Sequence, residues 1–105
     1  MPRPEIIFHP GASEDYEEAF AWYLSRGATL ALDFEREVER CLRLIVEAPL
    51  RWPAFDPQRR RIIVRKFPYA IVYEAIGQQI VVLAVAHGRR RPYYWRARGS
   101  KQRAP

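Results

Sequence analysis

The feature that most constrains the fold is an unbroken apolar run near the C-terminus, Ile80-Val81-Val82-Leu83-Ala84-Val85-Ala86. Its β-branched residues favour a strand, and no polar residue alternates along it to mark a solvent-facing side. The run is also far too short to cross a bilayer, which needs roughly 18 to 20 residues. We therefore predict the central strand of a sheet that helices cover on one side, with no membrane partner.

Two β-rich runs precede this strand and predict its neighbours. They span Arg61–Phe67 and Ala70–Ile76, and the last strand spans Gln79–Ala86. The links, Pro68-Tyr69 and Gly77-Gln78, are too short to let successive strands run parallel. The sequence therefore predicts an antiparallel three-stranded meander.

The first half of the chain predicts one short strand, Glu5–Phe8, ended by Pro10-Gly11, and two helices. The first helix covers residues 12–27, with Gly27 as its stop, and the second runs from about Thr29 to Glu47, before Pro49. The expected buried stripes are Ala12, Tyr16, Ala19, Phe20 and Tyr23, then Leu30, Phe34, Val38, Cys41, Leu42 and Ile45. The acids Glu14, Asp15, Glu17, Glu18, Glu35, Glu37 and Glu39 are expected outside those stripes.

These elements predict an α+β fold, in which an N-terminal strand and an αα-hairpin precede the meander. A chain of 105 residues is long enough for one domain, which we place at residues 5–98. Between the helices and the meander, Trp52 and Phe55 should anchor a proline-rich loop, residues 49–60. Residues 99–105 are expected to fray.

Charge divides the chain into two unlike parts. Residues 1–48 carry ten acids and five bases, whereas residues 49–105 carry thirteen bases and two acids. Such an asymmetry indicates a polyanionic or acidic partner for the second part, although a basic surface without that role is the simpler reading.

Arginines alternate with aromatic residues directly after the last strand, in His87-Gly88-Arg89-Arg90-Arg91-Pro92-Tyr93-Tyr94-Trp95. Arginine forks and large rings can clamp a protein surface or hold phosphates. The rings of Tyr93 and Trp95 could instead fold back onto the sheet, and His87 at a strand exit more often caps a turn than moves protons.

Other classes of site receive little support from the sequence. Cys41 is the single cysteine and the two histidines lie far apart, so we expect no disulfide, no metal and no cofactor. The start shows no signal-peptide pattern, so we expect a cytoplasmic protein.

The order of these elements, with several short motifs, resembles the RelE/ParE superfamily of bacterial toxins from type II toxin–antitoxin modules. The resemblance covers about residues 5–98. The motifs that carry it are Phe8-His9-Pro10, Asp15-Tyr16-Glu17-Glu18-Ala19, Trp22-Tyr23, Phe34-Glu35, Pro49 with Pro53, Arg60 to Tyr69, Ile71-Val72-Tyr73 and Ala84 to Trp95.

The resemblance implies two candidate activities and one partner. RelE-like toxins cleave mRNA in the ribosomal A site, and ParE-like toxins act on DNA gyrase. Both are neutralised by a cognate antitoxin, and only through that antitoxin does the pair bind operator DNA. A fold alone does not select between the two activities.

The residues match the nuclease pattern only in part. The pattern implies cations on the middle strands and a C-terminal tyrosine, and Arg61 and Tyr94 fit it. Ile63 and Ala70 stand where further cations are expected. If the chain is a nuclease, the catalytic residues implied are Arg61, Arg65, His87, Arg90 and Tyr94.

We therefore expect a ParE-like toxin that acts by binding, with a RelE-like endoribonuclease as the alternative. A relative without toxicity, which acts mainly as a partner of its antitoxin, is a third reading. The candidate binding surface is a single exposed patch formed by Arg61, Arg65, Lys66, His87, Arg90, Arg91, Tyr94 and Trp95.

Overall fold

The chain forms a four-stranded sheet with two helices, in a computed structural model that describes residues 3–99. The strands are ordered β1-β4-β3-β2, with β4 antiparallel to β3, β3 antiparallel to β2, and β1 parallel to β4. The α+β architecture and the central place of the last strand are confirmed. The elements are β1 (Glu5–Phe8), α1 (Pro10–Arg26), α2 (Ala28–Glu47), β2 (Arg59–Ile63), β3 (Tyr69–Ile76), β4 (Gln79–His87) and a 3₁₀ turn (Arg96–Arg98).

Helix α1 begins two residues earlier than predicted. Pro10 suits the first helical position because its φ is already fixed near the helical value. The Gly11 amide donates to Nδ1 of His9 at 2.9 Å, which caps this end. Gly27 ends α1 and precedes α2 with φ 157°, a conformation that residues with a side chain rarely adopt, so the predicted stop is confirmed.

Two of the acids expected at the helix surfaces are buried. Asp15 is only 7% exposed, on the same face of α1 as Ala12, Ala19 and Tyr23. Glu37 lies on the buried face of α2. Leu30, expected in the buried stripe of α2, is exposed instead.

Strand β2 starts at Arg59 and ends at Ile63, both earlier than predicted. It ends early because the chain turns before Phe67. Lys66 has φ 73°, which is incompatible with a strand. The Val64 amide donates to the Tyr69 carbonyl at 2.9 Å and closes this turn. The turn between β2 and β3 is therefore residues 64–68.

Apolar clusters cover both faces of the sheet. The inner cluster, between sheet and helices, includes Phe34, Ile45 and Tyr73. The outer cluster contains Val72, Val81, Leu83, Ala84 and Trp95.

A β-bulge shapes the outer face. Val72 pairs with Ala84 and Tyr73 with Val82, so Leu83 has no partner on β3. Leu83 and Ala84 both join the outer cluster as a result.

Of the tail predicted to fray, only Gly99 belongs to the described residues, and it is buried beside Arg59 and Glu74. Residues 100–105 lie outside them. Within residues 3–99 no helix has the length and apolar character that a membrane span requires.

Candidate functional site

A cleft of about 300 Å³ opens on the outer face of the sheet, at the ends of β3 and β4. Its floor includes the small side chains of Ala70 and Ala86, which leave the space open. We call it the arginine cleft. It is lined by Phe55, Arg61, Ala70, Val72, Ala86, His87, Gly88, Arg90, Arg91, Pro92, Tyr93, Tyr94 and Trp95.

One wall of the cleft is the segment after β4, residues 88–99, which we call the C-terminal strap. Its start is fixed by the amide of Gly88, which donates to the Pro68 carbonyl at 2.8 Å. The amide of Arg89 donates to Nδ1 of His87 at 2.9 Å, and the His87 ring packs edge-on against Tyr69. The histidine therefore caps a turn, as its position at a strand exit suggested.

The rings of the strap divide between core and surface. Trp95 is 5% exposed and meets Phe55 edge-on, with 5.3 Å between ring centroids. Tyr93 is 47% exposed and lies tilted on Trp95. Trp95 therefore supports the cleft from within the outer cluster, and Tyr93 is the ring that a ligand can reach.

Three exposed arginines, Arg61, Arg90 and Arg91, line the cleft. Arg61 on β2 lies 6.0 Å from the Phe55 ring centroid. Arg90 lies 3.8 Å above the ring of Tyr94. Within residues 3–99 the guanidinium of Arg91 has no ion-pair, hydrogen-bond or ring partner, so it is available to a ligand.

Arg65 and Lys66 do not join these arginines. Neither lines the cleft, because both follow the end of β2 in the turn before β3. Arg65 Nη2 instead pairs with Glu37 Oε2 at 3.2 Å, and this hydrogen bond holds the pKa of Glu37 below its usual value. The predicted single patch is therefore smaller than expected.

Two further arginines of the basic half are neutralised inside the protein. Arg59 is buried, with Asp56 at 3.0 Å and Glu74 at 3.4 Å. Arg98 donates to Asp15 at 2.8 Å. Neither is available to a ligand, so the charge of the sequence overstates the charge of the surface.

Asp15 is the residue that the sequence analysis missed. Its Oδ2 accepts hydrogen bonds from the Val85 amide at 3.2 Å and from the Tyr94 hydroxyl at 2.9 Å, besides that from Arg98. Burial raises the pKa of Tyr94, and the bond to Asp15 raises it further. The available signal was spacing, since Asp15 stands three residues after Ala12 and four before Ala19, on the buried face.

A second, shallower groove of about 570 Å³ lies beside the edge strand β2. Its apolar part includes Leu44, Trp52 and Ile63, and Ile63 is 62% exposed. Three arginines also line it and form what we call its basic rim: Arg40, Arg61 and Arg65. Arg61 therefore borders both this groove and the arginine cleft. We call this the edge groove.

Within residues 3–99 no three His, Cys, Asp or Glu side chains are grouped closely enough to hold a metal ion. Cys41 is buried on α2, where burial raises the pKa of its thiol and disfavours the thiolate that metals and electrophiles need.

A family model described as "ParE toxin of type II toxin-antitoxin system, parDE" matches residues 6–92. A search of curated proteins found no significant match.

Solved structures share the fold at low sequence identity. The chromosomal ParDE toxin–antitoxin system of P. aeruginosa is similar with a TM-score of 0.69 and 15% identity, over 80% of this chain and 95% of that one. A double mutant of E. coli RelE in the free state is similar with a TM-score of 0.66 and 16% identity, over 96% of this chain and 98% of that one. The isolated E. coli RelE toxin is similar with a TM-score of 0.61 and 19% identity, over 96% of this chain and 99% of that one.

Proposed function

Because the chain belongs to the ParE toxin family of type II toxin–antitoxin systems, we propose that it stops growth by binding its target through the arginine cleft. The proposed target is DNA gyrase in the cytoplasm. Arg61, Arg90 and Arg91 provide charged forks for carboxylates, and Tyr93 provides an exposed ring beside them. An acidic protein surface with an apolar contact fits this chemistry.

The observation that carries the proposal is the hydrogen bond that the Tyr94 hydroxyl donates to Asp15. Cleavage of RNA by its own 2′-hydroxyl needs one group to take a proton and another to give one. The Tyr94 hydroxyl donates to a buried carboxylate, and its raised pKa makes it a poor acid. Nδ1 of His87 accepts a hydrogen bond from the Arg89 amide, so this nitrogen is occupied in a turn and is not free to take the proton.

The positions that would hold a scissile phosphate support the same reading. Ala70 contributes only a methyl group to the floor of the cleft. Ile63, at the second position where a cation was expected, lines the edge groove instead. Stabilising the charge on a reacting phosphate requires cations at that point, and here two are missing.

A direct test compares two reactions with purified protein. Supercoiling by DNA gyrase should be inhibited, and mRNA on programmed ribosomes should remain uncut in primer extension. The double variant Arg61→Ala/Arg91→Ala should inhibit gyrase at least about ten-fold less well, since an arginine at the centre of an interface is worth about 1 to 2 kcal/mol or more. Arg43→Ala is the matched control, because Arg43 is exposed on α2 and lines neither groove.

Two results would overturn the proposal. Cuts at the A site would identify a RelE-like endoribonuclease. If gyrase is unaffected and mRNA uncut, and expression causes no growth defect, the chain acts mainly as a partner of its antitoxin.

The cognate antitoxin is proposed to use the edge groove. An antitoxin segment that places an apolar side chain on Ile63 and Trp52 and acids against Arg40 and Arg65 would match the groove in shape and charge. Ile63→Asp should weaken antitoxin binding by about ten-fold or more, because it places a carboxylate in the apolar part of the interface. Ile76→Asp, at an exposed site outside the groove, is the control. Operator DNA would be contacted only through the antitoxin.

A further inference from the structure

A buried carboxylate stands where the two unlike halves of the chain meet. Asp15 belongs to the acidic half, in the second turn of α1. Four groups approach it, all of them from the basic half. Three are the Tyr94 hydroxyl, Arg98 at 2.8 Å, and Arg90, whose Nη1 lies 4.0 Å from the other carboxylate oxygen. The fourth is the Val85 amide of β4.

These contacts close a gap in the sheet. Strand β1 pairs with β4 only as far as Phe8 and Val82, so among residues 3–99 no strand lies beside the edge of β4 beyond that point. Asp15 accepts from the Val85 amide there, and Arg98 donates to the Leu83 carbonyl at 3.0 Å. The Asp15–Arg98 pair thus takes the place of a strand and attaches the C-terminal strap to that edge.

We propose that Asp15 is a positioning residue for the arginine cleft, although it does not line the cleft. It fixes the strap through Tyr94 and Arg98, and it sets the direction of Arg90. This inference rests on the proposed function only for its effect on the target.

The two arginines beside Tyr94 require a negative charge at Asp15. The guanidinium carbons of Arg90 and Arg98 lie 3.8 Å and 5.1 Å from the centroid of the Tyr94 ring. Two like charges beside one half-buried ring repel each other, and an anion that pairs with both offsets this repulsion. An asparagine at position 15 could still accept from the Val85 amide but could not neutralise the arginines.

The first turn of α1 is also shaped to admit Arg98. The guanidinium lies against Gly11, and a β-carbon at that position would overlap it. Gly11→Ala should therefore displace Arg98 without touching the carboxylate. It provides a second, independent way to release the strap.

Hydrogen exchange of the full chain tests the positioning role without any target. In Asp15→Asn the amides of the strap should exchange about ten-fold faster or more, while those at the centre of β3 keep their rates. Arg98→Met, which keeps the length of the side chain, should have a similar effect. The acceleration in the double variant should be smaller than the two single effects combined, because both substitutions remove the same ion pair. Glu17→Gln, exposed on the same helix, should change nothing.

Three outcomes of the exchange experiment would overturn the proposal. The first is an unchanged strap in Asp15→Asn. The second is an equal acceleration in β3, which would mean that Asp15 only stabilises the whole fold. The third is that the effects add in full in the double variant, since the two residues would then act separately.

Gyrase binding tests whether the positioning role affects function. It also distinguishes failure of that role from failure of the proposed target. Asp15→Asn should bind gyrase about ten-fold more weakly than the wild-type protein, although Asp15 lies outside the cleft. If the wild type binds gyrase and Asp15→Asn binds equally well, the positioning role is wrong. If the wild type does not bind gyrase, the proposed target fails, and the exchange results still decide the role of Asp15.

Discussion

Replacing Trp95 by alanine should destabilise the protein strongly, because this ring closes the outer cluster. Trp95 is the largest member of that cluster and packs with Val72, Val81, Leu83 and Ala84 on the sheet. Truncation of a buried tryptophan typically costs about 3 to 5 kcal/mol, which combines lost burial with the cavity that remains. We expect about 3 kcal/mol, the lower end, because the strap can partly settle into the space.

The expected loss in the free energy of unfolding can be converted into a change in melting temperature. A chain of 105 residues has an unfolding entropy of roughly 0.22 kcal/mol per kelvin, so about 3 kcal/mol corresponds to a Tm lower by about 14 °C. Circular dichroism at increasing temperature and in urea would measure both quantities. Tyr93→Ala is the control, since its ring is on the same strap but half exposed, and it should cost less than about 1 kcal/mol. A loss below about 1 kcal/mol for Trp95→Ala would refute the assignment of the ring to the core.

Three further predictions concern buried polar contacts and charge. Tyr73→Phe should cost about 1 to 2 kcal/mol in urea unfolding, because the buried Tyr73 hydroxyl donates to the Pro49 carbonyl at 2.6 Å and its loss leaves that acceptor unpaired. The pKa of Glu37 is lowered by its hydrogen bond from Arg65, so this pair stabilises the fold above the unfolded pKa of Glu37 and ceases to do so as pH falls through the lowered value. The difference in Tm between wild type and Glu37→Gln should therefore shrink below about pH 4, and a difference that stays constant would contradict the pairing. Affinity for the antitoxin, measured by calorimetry, should fall as salt rises from 50 to 500 mM if the basic rim of the edge groove contributes, through screening.

Most of the fold could be predicted because the apolar pattern of the sheet is strong. Ile80 to Ala86 is apolar on both faces, which leaves a central strand as the natural outcome. The predicted end of β2 at Phe67 was wrong because Val64 and Phe67 continue a strand-like pattern through the turn. Only the left-handed conformation of Lys66 interrupts the strand, and lysine carries no sequence signal for it.

The site was less predictable because its parts come from distant positions. Carboxylates near a helix start are usually solvated, so nothing in α1 alone showed that Asp15 would meet Tyr94 and Arg98. The arginines of the tail look alike in sequence. Only the packing of the strap separates the available Arg91 from the neutralised Arg98.

The parallel pairing of β1 with β4 has a consequence for biosynthesis. The first strand of the chain cannot find its neighbour until the last strand has been translated, and Asp15 cannot anchor the strap until Arg98 has left the ribosome. A nascent chain therefore lacks the arginine cleft until the strap has been synthesised and can meet Asp15. Premature termination before the strap yields a product without the arginine cleft, and such a truncated chain would lack the surface that we propose for target binding.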